Sequence, residues 1–501
     1  IILLIACINF MNLSTARSEQ RAKEVGVRKT LGAQRGRLLL QFIMESVLLS
    51  VISTVIAIFI ITIILPSFNA LVGEQLVLHL FSPLHISCLI GIALVCGLVA
   101  GSYPALFLSS FKPVAVLNGL KLKGVNSAGW VRKILVVVQF SVSIILIICT
   151  LIIYLQINHV KNRDLGYNRH NLVFTTVQGN MLQHFGAIRN DLIQTGYVQD
   201  ACLSDHEILR MYSNGGGWNW PGKDPNSQVL ITFESASPQY VPTMGLNIMK
   251  GRDFYPDMKE DSAKVLINES FAKIIGLKNI IGTVITNSGG TKYTIVGVIK
   301  DFLYNSMYST PSPLIVFSDT SNSSYLTVRY KPDANLEAAV SKTRKVISKN
   351  NPGYPVEINF VDADFNNLFK MESMIGQLAG LFAALAILIS CLGLFGLAAY
   401  TAERRTKEIG IRKVMGASVR RIVGLLSKDF LILVIISCLI AFPVSWWIMH
   451  QWLQDYPYRI TIHWWIFFIA GGLAIVIALL TVSFQAIRAA VANPVESLRT
   501  E

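Results

Sequence analysis

Six stretches of this chain, at roughly 43–65, 84–108, 134–155, 375–400, 429–449 and 464–487, each run for about 20 residues with almost no charged side chain. Such a run is long enough to cross the hydrocarbon of a bilayer as a helix, which satisfies its own backbone hydrogen bonds there. Charged residues make up only 15% of the chain and hydrophobic ones 52%, against about 25% charged in soluble domains. A polytopic α-helical membrane protein is therefore expected. The opening "IILLIACINFMNLSTA" reads as the tail of a seventh span inside a longer parent, because the basic residues follow the apolar stretch, the reverse of a secretory leader.

Short loops rich in Lys and Arg stay in the cytoplasm. Arg17, Arg21, Lys23, Arg28, Lys29, Arg35 and Arg37 crowd the first loop, whereas residues 66–83 contain no Lys or Arg. Lys112, Lys121, Lys123, Arg132 and Lys133 mark the next cytoplasmic stretch, and Arg404 to Lys428 mark the one after the span at 375–400. Alternation then places residues 156–372 outside the cytoplasm and the C-terminus inside. That outer block holds 21 Lys and Arg against 20 Asp and Glu, so nearly all of the net charge of +14 belongs to the membrane part. The basic excess reports orientation, not nucleic-acid binding. Six of the seven cysteines lie in apolar runs, and Cys202 alone in the polar block supports no disulfide framework.

The cytoplasmic loops carry a repeat. "KEVGVRKTLGA" at 23–33 and "KEIGIRKVMGA" at 407–417 share seven of eleven residues at an offset of 384. At the same offset Cys7 matches Cys391, Glu19 matches Glu403 and Glu45 matches Asp429, while "FKPVAVL" at 111–117 parallels "ANPVESL" at 492–498. Two blocks of three helices follow, each with a basic loop after its first helix. By symmetry, the span at 134–155 and the block at 156–372 are expected to have counterparts ahead of residue 1. Snorkelling Lys and Arg account for the charges of the repeat. They do not account for Ile409, Ile411, Val414 and Met415 set among Lys407, Glu408, Arg412 and Lys413, a pattern suited to a short amphipathic helix with one face on the bundle and one open to a partner.

Between 156 and 372 the apolar runs shorten to strand-like phrases: "NLVFTTV", "QVLITFES", "AKVLINES", "YTIVGVI", "LIVF", "YLTVRY" and "VEINFVD". Helical stretches at 268–275 and 335–348 interleave, so an α+β extracytoplasmic domain is expected, with the Gly- and Pro-rich stretch 213–226 dividing two lobes. "GWNWPGK" at 217–223 has phosphate-loop spacing but is followed by Asp224 and Pro225 where Ser or Thr would hold magnesium. It reads as an exposed turn, or as an aromatic contact for a ligand or partner through Trp218 and Trp220. Asp205, His206 and Glu207 are adjacent and cannot converge on one ion in a regular element, so no metal is expected. No nucleophile elbow and no hydrolytic His and carboxylate constellation is visible, and the chain is expected to be non-catalytic and cofactor-free.

"RTKEIGIRKVMGAS" after a span, the acid opening the next span, the terminal "NPVESL", and the phrases "SPQYVPTMGLNIMKGRDF" (237–254), "TIVGVIKDF" (294–302) and "FVDADFNNLFKMESMIGQL" (360–378) resemble the FtsX/MacB-type permeases of ABC transporters, in the duplicated form common in Bacteroidetes-like bacteria. The resemblance covers essentially the whole chain and implies a first permease block at 1–121, truncated at its N-terminus, a stalk helix at 122–155, a MacB-like periplasmic domain at 156–372 and a second permease block at 373–501. It implies an inner-membrane subunit without its own ATPase, paired with a cytoplasmic ABC ATPase, with an extracytoplasmic adaptor or substrate as a further partner. Carried over residue by residue, the coupling contacts are Lys23, Glu24, Gly26, Arg28, Lys29 and Gly32, and Lys407, Glu408, Gly410, Arg412, Lys413 and Gly416. ATP-driven closing of the ATPase would press on them, and the stalk helices would carry the motion outward as export of a peptide, drug or lipoprotein. A cell-wall hydrolase regulator, or a non-transporting sensor or scaffold, are the alternatives. Apart from Glu45, Lys428 and Asp429 the spans are almost free of ionisable residues, which argues against an ion-driven carrier.

Overall fold

In the computed structural model, which describes residues 2–109, 125–305 and 307–491 and the side chains there save 16–23, 108, 125–128, 407 and 489, the apolar runs are helices. The first four are α1 (Ile2–Thr30), α2 (Arg35–Val72), α3 (Pro83–Ser109) and α4 (Val125–Lys161). With lipid outside, apolar area alone does not drive helices together, and small residues that let backbones touch do. Gly97 of α3 fits this: a Cβ there would lie 2.7 Å from Val47 Cα of α2. Helix α2 stops where Gly73 takes φ +72° and its N–H returns to Asn69 O at 2.8 Å, a left-handed closure that favours glycine.

The ectodomain is built on an 11-stranded mixed sheet. Its elements are β1 (Leu172–Thr176), α5 (Phe185–Gln194), β2 (Val198–Ser204), β3 (Asn214–Gly215), β4 (Ile231–Ala236), α6 (Tyr240–Met244), β5 (Ile248–Gly251), β6 (Lys264–Asn268), α7 (Glu269–Ile275), β7 (Val284–Thr286), β8 (Lys292–Ile299), β9 (Leu314–Ser318), β10 (Tyr325–Tyr330), α8 (Leu336–Asn350), β11 (Asn359–Phe360) and α9 (Val361–Leu368). The strand order is β11-β1-β10-β2-β4-β9-β6-β8-β5, with β3 on β4 and β7 on β8. The two expected lobes are joined by this one sheet, which narrows to the single pair Ser204–Ala236 between β2 and β4. Both expected helices form with asparagine caps: the Asn268 and Asn335 side chains accept from Phe271 N and Ala338 N. The phrase "VEINFVD" yields only a two-residue strand, because Val361 already begins α9.

The phrases that carried the resemblance are structural. Gly251 and Gly297 face each other across β5 and β8, and a Cβ on either would strike the backbone opposite, Val296 O or Arg252 O. Asp301 accepts from Ser270 N at 2.8 Å and from Ser270 Oγ at 2.7 Å, tying the loop after β8 to the first turn of α7. Asp261, with a fully buried side chain, takes both terminal nitrogens of Arg252 (2.7 and 2.9 Å), Lys264 Nζ at 2.9 Å and Tyr255 N at 2.7 Å. These donors, the Arg252 guanidinium foremost, hold its carboxyl well below the usual carboxylate range.

The last four helices are α10 (Lys370–Arg404), α11 (Thr406–Val414), α12 (Val419–Gln454) and α13 (Trp465–Val491). Among the described residues, six helices are long and apolar enough to cross a membrane: α2, α3, α4, α10, α12 and α13. The offset of 384 carries the end of α1, Thr30, onto Val414, and the start of α2, Arg35, onto Val419, so the repeat extends to helix ends. Helices α1 and α10 cross at a repeat-equivalent pair, Asn9 against Gly393, where a Cβ on the glycine would overlap Asn9 Oδ1. A residue packed on its own repeat partner is what a two-fold relation produces.

The chain divides into a helical unit (Ile1–Leu155, Glu372–Leu453, Thr461–Glu501) and an ectodomain unit (Gln156–Met371) that also takes in Gln454–Ile460. This outer segment is absent from the sequence-based boundaries. Gln156, itself 1% exposed, grips it with both ends of its amide, donating to Tyr458 O and accepting from Ile460 N, each at 2.9 Å. Arg163 stacks over the Tyr458 ring at 3.9 Å and donates to Ser309 O at 2.7 Å.

Candidate coupling surface

The two copies of the repeated segment fold alike down to individual residues. From Glu24 to Ala33 and from Glu408 to Ala417, every pair of equivalent positions has the same burial class: Val25 and Ile409 buried, Gly26 and Gly410 buried, Arg28 and Arg412 exposed, Lys29 and Lys413 half-buried. Lys23 and Lys407 have side chains outside the described residues, as are the parallel phrases 111–117 and 492–498. Both segments close on the same turn. Gly32 (φ +93°) and Gly416 (φ +86°) return their N–H to Lys29 O and Lys413 O at 3.1 and 3.0 Å. Ala33 and Ala417 return theirs to Arg28 O and Arg412 O at 3.0 and 2.9 Å. This double closure satisfies carbonyls that the helix end leaves open, and its left-handed position is why glycine stands there twice.

One face of each segment is anchored. Val25 packs with Leu38 and Phe42 on α2, and Ile409 packs with Ile422 and Leu426 on α12, the same positions displaced by the offset. Lys29 Nζ donates to Ser109 O at 2.7 Å and Lys413 Nζ to Val491 O at 3.4 Å, each at the end of the third helix of its block.

The other face is open. Glu24 bridges Arg28 at 2.7 Å and Glu408 bridges Arg412 at 2.8 Å, one helical turn apart and half in solvent. Beyond them Leu31 and Met415 stand 82% and 83% exposed, with Val27 and Ile411 beside them. An oily tip flanked by oriented charge suits a protein partner better than water or headgroups alone. The sequence singled out the charges and glycines; it missed Leu31 as the most exposed apolar residue of its copy.

The copies differ in two respects. In the first, Arg28 also donates to Gln41 Oε1 on α2 at 2.8 Å, where the second has Leu425 at the equivalent position. A short separate helix is what the pattern predicts, and α11 is one, set off from α10 by a break at Arg405, which pairs with Asp429 at 3.1 Å. In the first copy α1 runs unbroken from the apolar stretch through Thr30. Trp218 and Trp220 also depart from expectation. They are 5% and 8% exposed, inside a core cluster with Ile231, Val265 and Ile315. Trp218 lies against Phe233, Tyr293 and Phe317, and Trp220 meets Phe271 edge-on at 5.4 Å. Their ring faces are taken by the protein itself, so the open turn of the expectation is corrected to a packed corner.

The model of the FtsX-like permease C-terminal domain matches residues 1–113 and again 380–494, so each match contains one copy of the repeated segment. The model of the MacB-like periplasmic core domain matches 192–346. The macrolide export ATP-binding/permease protein MacB of Neisseria gonorrhoeae is 25% identical over 277 residues, taking in 51% of this chain and 41% of that protein. A probable syringafactin export ATP-binding/permease protein of Pseudomonas syringae is 24% identical over 271 residues, taking in 51% of this chain and 40% of the other. The chain thus spans under half the length of these relatives. Among solved structures, the periplasmic region of MacB from Actinobacillus actinomycetemcomitans is 16% identical with a TM-score of 0.30, covering 42% of this chain and 97% of that one. The extracellular domain of the transporter YknZ is 14% identical with a TM-score of 0.26, covering 38% and 97%. With two FtsX-like permease segments enclosing a MacB-like core domain, the chain belongs to the FtsX/MacB-type permeases of ABC transporters.

Proposed function

We propose that the chain is the membrane subunit through which a separate cytoplasmic ATPase drives movement of the extracytoplasmic domain, with export of a peptide, drug or lipoprotein as the work done. The observation that carries this reading is the pair of segments at 24–33 and 408–417, which share one burial pattern and one closing turn while leaving Leu31 and Met415 in solvent. Two equivalent footings suit the two halves of an ATPase pair. Each is fastened to its block through Val25 or Ile409 and through a lysine bonded to the third helix, so a push on the footing is received by a whole block. The relatives' names join ATP binding and permease in one protein and speak of macrolide or syringafactin export, which supports export as the work done. Helices α4 and α10, at 37 and 35 residues, exceed the ~20 residues a bilayer needs and lead to and from the ectodomain.

The test is affinity purification of the full-length protein from its native membrane, with and without charge reversal to Glu at Arg28 and Arg412, which leaves the Lys29 and Lys413 anchors in place. An ATPase subunit is expected to accompany the wild type, and the double variant is expected to insert normally while ATP hydrolysis no longer supports export. Unchanged ATPase association together with unchanged export in the variant rejects the proposal.

A further inference from the structure

A second constellation lies on the ectodomain, made by residues 28 positions apart in the chain. His206 Nδ1 is 3.1 Å from Glu234 Oε2, and the other carboxylate oxygen, Oε1, accepts the backbone N–H of His206 at 3.2 Å. On the far side of the ring, Nε2 is 3.1 Å from Ser213 Oγ. Glu234 is fully buried on β4, the His206 side chain is 15% exposed, and Ser213 stands in solvent. All three residues are pinned to one strand. Asp205 N donates to Ser235 O at 2.9 Å, and Phe233 N donates to Ser213 O at 2.8 Å.

With Glu234 ionised and the imidazole neutral, Nδ1 carries the proton toward Glu234 and Nε2 accepts from the Ser213 hydroxyl. Nucleophile, base and orienting acid are thereby in hydrogen-bond sequence. Burial pushes the Glu234 carboxyl up to about 7, and the hydrogen bond to Glu234 raises the His206 imidazole. Two residues beyond Ser213 begins a run of three glycines, Gly215 to Gly217, from which no side chain projects to hinder an approaching substrate.

We propose that Ser213, His206 and Glu234 form an acyl-transfer site on the extracytoplasmic domain, acting on esters with water as acceptor. Ser213 Oγ forms a bond to the ester carbonyl carbon while its proton passes to His206 Nε2. The adduct then collapses, the C–O bond to the alcohol breaks, and the alcohol leaves with the His206 proton. A water molecule repeats the sequence in the second half, releasing the acid and restoring the serine hydroxyl. This inference is independent of the coupling surface.

The test uses the full chain in detergent with a fluorophosphonate probe, whose P–F bond breaks as the Oγ–P bond forms and fluoride departs. Labelled sites are identified by peptide mass spectrometry, with the exposed Ser262 as internal control. Ser213 is expected to react about 10²- to 10⁴-fold faster than Ser262, the range that a positioned base supplies. The advantage is expected to vanish in H206A, and the label itself in S213A. Equal rates at Ser213 and Ser262 in the folded wild type, which need no variant, overturn the proposal. So does labelling in folded H206A as fast as in wild type.

Discussion

The coupling surface makes one quantitative demand, on Leu31 and Met415. At 82% and 83% exposure these side chains contribute almost nothing to the fold, so replacing both by Gln is expected to leave stability within about 0.5 kcal/mol. Gln keeps the charge unchanged, which matters because an acid placed at a helix C-terminus would itself cost about 0.3–1 kcal/mol. The backbone bonds that close each turn, Leu31 N to Val27 O at 3.1 Å and Met415 N to Ile411 O at 3.0 Å, do not involve the side chains. If an ATPase covers these tips, each truncation forfeits most of the burial of one large side chain, about 1.5–3 kcal/mol. That is about 10- to 10²-fold in affinity per footing, and the two combine when one chain engages both. The measurement is a titration of purified ATPase onto the full-length protein in detergent, wild type against L31Q, M415Q and the double variant, with melting curves alongside. Affinity unchanged in the double variant refutes the docking argument. A melting point several degrees lower would show instead that the tips are packed.

Two further outcomes follow from the ectodomain. The Asp261 carboxylate is fully enclosed by Arg252, Lys264 and the Tyr255 amide, so D261N is expected to cost about 1.5–3 kcal/mol by removing charge-assisted hydrogen bonds to partners that are themselves about a third exposed. Its folded-state pKa is depressed, so its stabilisation is complete above the unfolded value of about 3.9 and fades as pH falls below it; acid melts of D261N should lack that loss, and an identical acid profile would contradict the account. Q156A removes the bonds that Gln156 makes to Tyr458 O and Ile460 N, at roughly 1–3 kcal/mol, while Tyr458 N keeps its bond to Tyr308 O. Hydrogen exchange at 454–460 should rise without change in the sheet, and unaltered protection there would show that Arg163 and the ring contacts suffice.

Much of this was legible because membrane helices and short loops announce themselves locally. A run of about 20 apolar residues has few alternatives, and asparagines ahead of α7 and α8 mark their starts as side-chain caps do generally. What escaped the sequence is non-local. Strand β2, "VQDACLS", alternates poorly because its C-terminal half is buried on both faces, so periodicity could not find it. Trp218 and Trp220 sit in a Gly- and Pro-rich stretch that reads as an exposed turn, and only the fold brings Phe233, Tyr293, Phe317 and Phe271 around them. His206 stood out in the sequence only beside Asp205 and Glu207, because its partner, Glu234, arrives on a strand 28 residues later.

The repeat is the exception, a long-range feature that the sequence does reveal, because it supplies its own comparison. Residues identical in both copies fall into two sets. Gly26 and Gly410 are buried against their blocks, and Gly32 and Gly416 close a turn in the left-handed region, so folding alone accounts for these four. Lys29 and Lys413 are likewise spoken for by carbonyls of the third helices. Folding accounts in part for Arg28, which also donates to Gln41 Oε1 on α2 at 2.8 Å; it does not account for Glu24, Glu408 and Arg412, whose exposed bridges are worth only about 0.3–0.5 kcal/mol each. Nor does it account for large apolar residues at positions 31 and 415, which differ in identity yet match in exposure. A feature repeated without a structural return, at the same place on two blocks, is what the proposed docking of a two-fold partner requires, since such a partner meets both copies in the same way.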